Sequence, residues 1–340
     1  MRFEHQLEMN DTSALYGSAL SNLSEEDQKK YGEDFKSFFE RAWFKDARSK
    51  VLNGYSLLAG FEPDTAQFSY NNWSPKEGDV VVAAYAKTGT SWMSELTRNI
   101  LYCNDDEMLK KSKAMNFFYA YLEYGPESKY EVVNKLDIPR KVMGTHLPAP
   151  LINFDKIKKS GAKIIYIMRN PKDQAISWYY FSRSQIFAKY PPYNEWYTDD
   201  KKAFFDGYLT GQHKLFAKEG EGYLEHIKEW YPHRNDSNVM FVTFEDLKEN
   251  IQREIKNVAN FLDVNLSDDD VAKITERTSL DSMKKAGQEK VDTFFKVLRK
   301  GSVGKWKDYL TVSQSEFVDE KVKQVLGDTD IKFVYELKED

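Results

Sequence analysis

The sequence predicts an α/β protein: a single domain with a central, mainly parallel sheet flanked by helices. Four short apolar runs of strand length recur along the 340 residues, and helix-like amphipathic segments follow three of them. Strands that alternate with helices favour a parallel sheet that is covered on both faces. A turn of small residues between the first run and its helix adds a third observation, since phosphate-binding loops are built in this way.

The strand candidates are short, and they are rich in Val, Ile, Met or Tyr. They are residues 79–86, 141–146, 163–168 and 238–244. The predicted helices are residues 90–102, 172–187 and 245–262. In the last of these helices, one apolar stripe is formed by Leu247, Ile251, Ile255, Val258 and Leu262.

The chain divides into an appendage and one main domain. Residues 1–50 are polar and helix-prone, and they are too few to bury a core of their own. We therefore expect a helical N-terminal appendage over 1–50 and the functional domain over 51–340. No internal repeat or linker interrupts the second part.

Composition excludes several classes of partner. The charge balance of 49 − 54 = −5 provides no global basic field, so we expect neither a nucleic-acid nor a membrane partner. One cysteine, Cys103, allows no disulfide within the chain and fits a reducing compartment. The N-terminus lacks the apolar stretch of a signal peptide, and no apolar run approaches the roughly 20 residues of a membrane span. These features predict a cytoplasmic protein.

The first strand leads into 85-YAKTGTSW-92, a candidate anion site. Backbone N–H groups at the start of the following helix favour an anion, and Lys87 adds a full positive charge. Thr90 and Ser91 add hydroxyl donors. The loop differs from G-x-x-x-x-G-K-[ST], since Lys87 precedes Gly89, and an ordinary helix cap remains the alternative for this segment alone.

Two other segments offer cations at strand or loop ends. Arg169 follows the third strand in 169-RNPKDQAIS-177, where Ser177 could complete a guanidinium clamp on a phosphate. Near the end of the chain, 299-RKGSVGKW-306 combines Arg299 and Lys300 with Gly301 and a second glycine. Taken singly, each segment could equally be charged surface.

His146 stands out among five histidines because it follows the second strand, in 144-GTHLPAP-150. An imidazole at a ligand-binding edge can accept a proton near neutral pH, although a lone histidine is more often structural. The other four histidines fall in polar or helical segments without a partner pattern. No Cys/His cluster or H-E-x-x-H spacing predicts a metal site.

With these four segments in this order, the chain resembles the cytosolic sulfotransferases. The family's Y-P-K-S-G-T-[TS]-W loop is matched at 85–92, and its K-T-H-L-P segment at 145–148. R-N-P-K-D-x-x-x-S is matched fully at 169–177, and R-K-G-x-x-G-D-W-K at 299–307 except for one residue. The resemblance runs from about residue 50 to the C-terminus.

The resemblance implies transfer of a sulfuryl group from 3'-phosphoadenosine 5'-phosphosulfate (PAPS) to an acceptor hydroxyl or amine. It implies adenosine 3',5'-bisphosphate (PAP) as product, a P-loop-like phosphosulfate-binding loop and no metal. His146 would be the general base, and Lys87 would stabilise charge on the bridging oxygen. The implied nucleotide-binding residues are Lys87, Thr88, Gly89, Thr90 and Ser91 for the 5'-phosphosulfate, Arg169, Ser177, Arg299, Lys300 and Gly301 for the 3'-phosphate, and Trp92, Tyr223 and Thr278 for the adenosine.

This sequence departs from the family pattern at several positions. Gly144 stands where many members have lysine, which removes a positive charge near the sulfuryl group. Leu280 replaces a phenylalanine that often packs on adenine, and Lys305 replaces an aspartate. Ala86 and Thr88 replace the usual proline and serine. The loop should tolerate the last two changes, whereas Gly144 and Lys305 raise the alternative of a nucleotide-binding protein without turnover.

A metal-dependent kinase is the other alternative. Such an enzyme would require Mg²⁺ and ATP, and it would place an aspartate at a strand end beside a G-K-[ST] loop. The third strand instead runs into Arg169. Glu245 and Asp246, which follow the fourth strand, are the best counter-candidates.

We also predict the acceptor site and a dimer contact. Aromatic residues near the predicted site, with residues 149–154, favour a small aromatic or lipophilic acceptor, and we expect the appendage to border this pocket. The candidate pocket residues are Phe117, Phe118, Tyr121, Trp178 and Phe181. Segment 307–316 fits the family's K-x-x-x-T-V-x-x-x-E dimerisation pattern through Lys307, Thr311, Val312 and Glu316.

Overall fold

Four parallel strands form the central sheet in the computed structural model, which describes residues 13–45, 48–189, 191–288 and 301–337. The sheet order is β4-β3-β5-β6, and a separate antiparallel hairpin joins β1 to β2. The α/β class, with one domain and a parallel sheet flanked by helices, is thereby confirmed. The strands are β1 (Lys50–Leu52), β2 (Tyr55–Leu57), β3 (Val80–Ala83), β4 (Val142–Thr145), β5 (Lys163–Met168) and β6 (Val239–Thr243).

Helices cover both faces of the sheet and make up the N-terminal part. They are α1 (Ser13–Leu20), α2 (Glu25–Phe39), α3 (Pro63–Asn71), α4 (Thr90–Leu101), α5 (Asp106–Ala114), α6 (Phe117–Ala120), α7 (Lys129–Lys135), α8 (Phe154–Ser160), α9 (Pro171–Arg183), α10 (Tyr193–Trp196), α11 (Lys201–Leu209), α12 (Tyr223–Trp230), α13 (Phe244–Glu249), α14 (Ile251–Phe261), α15 (Asp268–Arg277), α16 (Leu280–Gln288) and α17 (Val312–Leu326).

The alternation of side chains along β3 separates two apolar cores. Val80 and Val82 face a core built with α4, α14 and α15, whereas Val81 and Ala83 face a larger core that includes α12. Because both faces are covered, every residue of β3 is buried. The strand register brings Ala83, Thr145 and Tyr166 side by side, so the carboxyl ends of these strands share one edge.

The N-terminal helices are part of the larger core. Phe35 packs on Tyr119 with ring centroids 4.8 Å apart, and Phe39 packs on Phe118 at 5.0 Å. The Tyr31 hydroxyl donates a hydrogen bond to Glu131. The apolar spacing of the appendage therefore serves contact with the main domain, while the proposed division at residue 50 stays a prediction.

Two helix predictions need correction. The helix predicted over 245–262 is two helices, because Asn250 ends α13 and its side chain accepts the Arg253 N–H at 2.9 Å as the N-cap of α14. Asparagine favours such caps over helix interiors. The helix predicted over 172–187 ends at Arg183, and a short 3₁₀ turn follows at Ile186–Lys189. Among the described residues, no helix combines the length and apolar character that a bilayer crossing requires.

Candidate active site

The loop after β3 lies at the shared strand edge and ends in the first turn of α4. Gly89 is the N-cap of α4 with φ +118°, and a Cβ atom there would lie 2.9 Å from Ile167 Cδ1. Lys87 also has a positive φ of 70°. Glycine is thus required where the chain turns into the helix, and the turn leaves backbone N–H groups of α4 available for an anion.

The hydroxyl residues of this loop have different surroundings. Thr88 Oγ1 is buried within 2.9 Å of the Tyr85 carbonyl and 3.0 Å of the Ile167 carbonyl, which anchors the loop to β5. Thr90 Oγ1 is buried and has no hydrogen bond of normal geometry to a described residue. Ser91 is exposed. The half-buried Lys87 places Nζ 4.2 Å from the centroid of the Phe181 ring.

His146 follows β4, and one nitrogen of its ring is engaged in a hydrogen bond to the backbone. Its Nδ1 lies 2.7 Å from the Ala84 carbonyl oxygen. Because a carbonyl only accepts, Nδ1 carries the proton of the neutral ring and Nε2 is left as the proton acceptor. Burial lowers the pKa of His146 to about 4, with a smaller contribution from the positive charge of Lys87. The ring is therefore neutral at pH 7.

A buried carboxylate that was absent from the sequence-based candidates positions this histidine. Glu123 accepts the His146 backbone N–H at 2.6 Å and the Thr145 hydroxyl at 2.9 Å. Burial raises the pKa of Glu123 to about 7. Lys129 is also buried, its pKa is lowered by burial, and its ammonium donates to the carbonyls of Tyr121 and Tyr124. The segment 121–129 is thereby tied to the end of β4.

His226 is a second residue that contacts His146, although its sequence segment shows no pattern that indicates a partner. Its Nε2 donates to the His146 carbonyl at 3.2 Å, and its Nδ1 accepts from the Tyr166 hydroxyl at 2.9 Å. Burial lowers the pKa of His226 to about 3. The ring lies on the side of α12 that faces the sheet, which its spacing of four residues from Trp230 could have indicated.

Arg169 leaves β5 and connects two of the predicted anion-binding segments. Its Nη2 donates to the Ser302 carbonyl at 2.7 Å, while its guanidinium stacks over the Phe244 ring with Cζ 4.2 Å from the centroid. The Tyr223 hydroxyl bridges the Arg169 backbone, since it accepts from N–H at 2.7 Å and donates to the carbonyl at 2.8 Å. Arg169, Tyr223 and Ser302 are thus in direct contact, while their proposed roles in nucleotide binding stay a prediction.

Asp173 holds the loop that contains Gly301. Its carboxylate accepts the Gly304 N–H at 2.7 Å and the Trp306 N–H at 3.0 Å. Gly301 has φ +59°, a conformation that suits glycine. Ser177 lies half-buried on α9. The predicted residues Arg299 and Lys300 lie outside the described residues.

Trp92 and Thr278, both predicted to surround an adenosine, are in direct contact. The indole Nε1 donates to the Thr278 carbonyl at 3.0 Å. Phe244 packs edge-on to Trp92 with centroids 5.4 Å apart, and the same ring lies under the Arg169 guanidinium, so Phe244 contacts both residues. Phe244 was not predicted, although it directly follows the last residue of β6. Leu280 borders the same region, 3.6 Å from the position of a Cβ on Gly301.

Aromatic rings surround His146. The Tyr121 centroid lies 4.9 Å and the Phe216 centroid 5.3 Å from the imidazole. Phe117 is 4.4 Å from Tyr121. Phe61, like Phe216, was not predicted, and it lies 6.2 Å from the imidazole. Both come from segments whose apolar residues show no strand-end or motif signal.

The remaining predicted pocket residues separate into two groups. Phe181 contacts Lys87 and packs on Trp178 with centroids 5.6 Å apart. Phe118 is buried against Phe39 and Tyr124 instead, with centroids 5.0 and 5.6 Å away. Phe118 therefore links the appendage to the ring cluster around His146 through its neighbour Phe117.

Glu245 was, with Asp246, the best candidate for the metal-binding carboxylate of a kinase. Glu245 is buried, and it accepts the backbone N–H of Asn170 at 3.1 Å and its side-chain amide at 3.0 Å. Burial raises the pKa of Glu245 to about 7. Within the described ranges, no group of three or more His, Cys, Asp or Glu side chains has the arrangement of a metal site. The carboxylate acts here as a support for the turn after β5.

Comparison with known proteins identifies the family. The family model described as "Sulfotransferase domain" matches residues 77–330, which is most of the chain. The chain belongs to the sulfotransferase family. Its relatives include the amine sulfotransferase of Oryctolagus cuniculus, 29% identical over 280 residues that cover 78% of this chain and 86% of that protein. Sulfotransferase 1E1 of Mus musculus is 32% identical, with 76% of this chain and 87% of the relative covered.

A solved structure agrees with this assignment. The crystal structure of mouse sulfotransferase SULT7A1 complexed with PAP is similar to this chain with a TM-score of 0.65 and 27% identity. The similarity covers 83% of this chain and 96% of the mouse protein. The predicted family and enzyme class are thus confirmed. Because the family match of this sulfotransferase begins at residue 77, the N-terminal helices lie outside it.

Proposed function

We propose that this sulfotransferase transfers the sulfuryl group of PAPS to a hydroxyl group of a small aromatic or lipophilic acceptor, with His146 as general base. One observation carries the proposal. The neutral His146, with Nδ1 bound to the Ala84 carbonyl, leaves Nε2 to accept a proton at the same strand edge as the Lys87 loop.

The residues at this edge fit a nucleotide with phosphate groups at both ends. The buried Thr90 hydroxyl has hydrogen-bonding capacity left over at the start of α4, where the backbone also favours an anion. Arg169 and the turn at Gly301 form a second cationic region beyond Phe244. Trp92 and Thr278, which are in contact, would flank the adenosine between the two.

PAPS would supply an activated sulfuryl group, and the protein would supply position and electrostatics. His146 Nε2 takes the proton of the acceptor hydroxyl as the acceptor oxygen bonds to sulfur. Lys87 stabilises the negative charge that collects on the departing phosphate oxygen. Glu123 keeps His146 in place through the backbone N–H.

The proposed acceptor class follows from the rings around the base. Tyr121, Phe216, Phe117 and Phe61 provide apolar surface next to His146 and no side-chain charge. Such a lining favours an aromatic or lipophilic alcohol or phenol over a charged sugar polymer. Because one relative is an amine sulfotransferase, amines belong in the acceptor panel.

The test is His146→Ala, measured with labelled PAPS against phenols, sterols, catecholamines, amines and aliphatic alcohols. We expect turnover to fall by about 10³-fold or more, because the proton acceptor is gone. PAP affinity, measured by calorimetry, should stay within about threefold, since a neutral residue outside the phosphate sites is removed. His233→Ala, which removes a histidine stacked on Phe154, is the matched control.

Three outcomes distinguish the alternatives. Retained turnover in His146→Ala would overturn the assignment of the base. Transfer that requires Mg²⁺ and ATP would indicate a kinase instead. Tight PAP binding by the wild-type protein with no transfer to any acceptor in the panel would indicate a binding protein that lacks turnover.

We also propose a homodimer through residues 307–316. Val312 is 75% exposed at the start of α17, and Thr311 and Glu316 are exposed beside it. Lys307 pairs with Glu336 at 2.6 Å within the chain. The proposal depends on the match to the family's dimerisation pattern, and the exposure of these residues leaves them accessible to a second copy. Sedimentation that shows only monomer at micromolar concentration would refute the proposal, and Val312→Lys should weaken a dimer if one forms.

A final proposal concerns the N-terminal appendage and the acceptor pocket. Phe39 of α2 contacts Phe118, and Phe118 contacts Phe117, which packs on Tyr121 beside His146. This chain of rings supports a role of the appendage in acceptor preference. Phe39→Leu should therefore change the ratio of kcat/KM values between bulky and small acceptors, and an unchanged ratio would refute the role.

A further inference from the structure

The ring of Tyr121 fills the space beside Gly144 in the site. The Leu122 N–H donates to the Gly144 carbonyl at 2.9 Å, which sets Tyr121 beside the end of β4. A Cβ atom on Gly144 would lie 3.1 Å from Cε2 of the Tyr121 ring and 3.3 Å from Cδ2. A side chain at position 144 would thus compete with the ring for this space. At these distances the ring would have to move by a few tenths of an ångström to admit even a Cβ atom, so the present position of the ring fits glycine at 144.

The Tyr121 ring is fixed between the base and the anion loop. Its centroid lies 4.9 Å from that of His146, and Phe117 packs on the ring at 4.4 Å. Only 8% of the residue is exposed. Burial raises the pKa of the Tyr121 phenol, and the charge of Glu123 raises it further. The nearby Thr90 hydroxyl acts in the opposite direction, but the pKa of Tyr121 is raised overall. The phenol therefore keeps its proton at neutral pH and remains a donor.

We infer that Tyr121 is a catalytic hydrogen-bond donor to the sulfuryl group, and that its neutral hydroxyl supplies a donor beside Gly144, a residue that has no side chain to supply one. The inference rests on the proposed function. As the acceptor oxygen bonds to sulfur, its proton passes to His146 Nε2. The bond from sulfur to the 5'-phosphate oxygen breaks, and its electron pair stays on that oxygen beside Lys87. Tyr121 keeps its proton throughout and lowers the energy of the charged sulfuryl oxygens by hydrogen bonding.

The experiment compares two nucleotides in the absence of an acceptor. PAPS carries the sulfuryl group and PAP does not, so a donor to that group affects the binding of PAPS alone. For Tyr121→Phe we expect the Kd of PAPS to rise about three- to tenfold while the Kd of PAP changes less than about twofold. With acceptor present, kcat should fall about 10- to 100-fold. Thermal unfolding of each variant checks that the fold is intact.

Two further variants sharpen the test. Tyr124→Phe removes a buried hydroxyl from the same ring cluster, outside the site, and should leave both nucleotide affinities unchanged. Tyr121→Ala with Gly144→Lys empties the space of the ring and places an ammonium there. Compared with Tyr121→Ala alone, this double variant should recover part of the preference for PAPS over PAP.

The result distinguishes a failure of the role inferred for Tyr121 from a failure of the proposed function. Equal weakening of PAPS and PAP by Tyr121→Phe, or no weakening of either, would overturn the role of Tyr121 while the proposed function stands. Wild-type protein that binds neither nucleotide would overturn both.

Discussion

Two regions of the site are built in different ways. The strand-end site is attached directly to the ends of β3 and β4 and to α4, which follows β3. It is formed by Lys87, Thr90, Tyr121 and His146. The loop clamp, formed by Arg169, Asp173 and residues 301–306, depends on a few hydrogen bonds between side chains of one segment and the backbone of another.

The difference suggests a division of labour. In the proposed reaction, groups of the strand-end site accept the proton and stabilise the developing charge, so their loss should change kcat. Groups of the loop clamp would hold the 3'-phosphate of the nucleotide, away from the reacting sulfuryl group, so their loss should change nucleotide affinity. Substitutions in each region test whether effects on kcat and on nucleotide affinity separate in this way.

Among the substitutions that compare the two regions, Lys87→Met should have the largest effect. Removing the positive charge beside the proposed leaving oxygen should lower kcat about 10²- to 10³-fold at saturating substrates. Lys87→Arg keeps the charge but not the compact ammonium, and it should give an intermediate rate. Single-turnover kinetics with labelled PAPS measures both variants. If kcat of Lys87→Met stays within about threefold of wild type, charge stabilisation by this residue is refuted.

A smaller effect, on a different quantity, is expected from Arg169→Met. Loss of a charged donor to a phosphate should raise the Kd of PAP by about 10- to 100-fold, because such hydrogen bonds contribute roughly 1.5–3 kcal/mol. The value of kcat at saturating PAPS should stay within about threefold. Calorimetry gives the Kd, and Arg253→Met on the surface of α14 is the control. A fall in kcat with unchanged Kd would erase the distinction between the regions.

Asp173→Asn tests whether the loop clamp depends on its support. The carboxylate accepts the N–H groups of Gly304 and Trp306, and an amide can replace only one of these acceptors. We expect the Kd of PAP to rise about three- to tenfold with kcat unchanged. Asp319→Asn is the control, since Asp319 pairs with Lys172 next to Asp173. Equal Kd values for Asp173→Asn and wild type would show that the loop holds its shape without this carboxylate.

The comparison also explains what the sequence could predict. Strand ends and small-residue turns are local signals, so β5 was predicted at its observed bounds and the Lys87 loop, His146 and Arg169 were found at one edge. Glu123, Phe61, Phe216 and Phe244 are different. They act across long stretches of chain, and a buried carboxylate or ring shows no local pattern that distinguishes it from core.

The same limit applies to helix boundaries and to spatial exclusion. Asn250 divides a continuous apolar stripe because its side chain caps the next helix, which the spacing of Leu247 and Ile251 does not reveal. The departure at Gly144 was visible in the sequence as a missing charge. That a side chain at this position would press on the ring of Tyr121 could be found only from the distance between the two residues.

The smallest expected effect is the response of wild-type turnover to mild acid. A histidine base with the ordinary pKa of about 6.5 would lose about tenfold in kcat/KM between pH 7.5 and 5.5. His146 has a pKa lowered to about 4, so its Nε2 stays unprotonated over this range and is blocked only as the pH falls through about 4. With an aliphatic alcohol acceptor, which does not titrate, we expect kcat/KM to stay nearly constant.

Other titratable groups that face His146 decide how this profile is interpreted. His226 has a pKa lowered to about 3 and is neutral throughout, but Glu123 has a pKa raised to about 7 and takes up a proton within the range. Glu123→Gln keeps an oxygen for the His146 N–H and removes this titration. A decline near pH 7 that disappears in Glu123→Gln therefore belongs to Glu123. A decline centred near 6.5 that persists in the variant would mean that burial does not hold the His146 ring neutral.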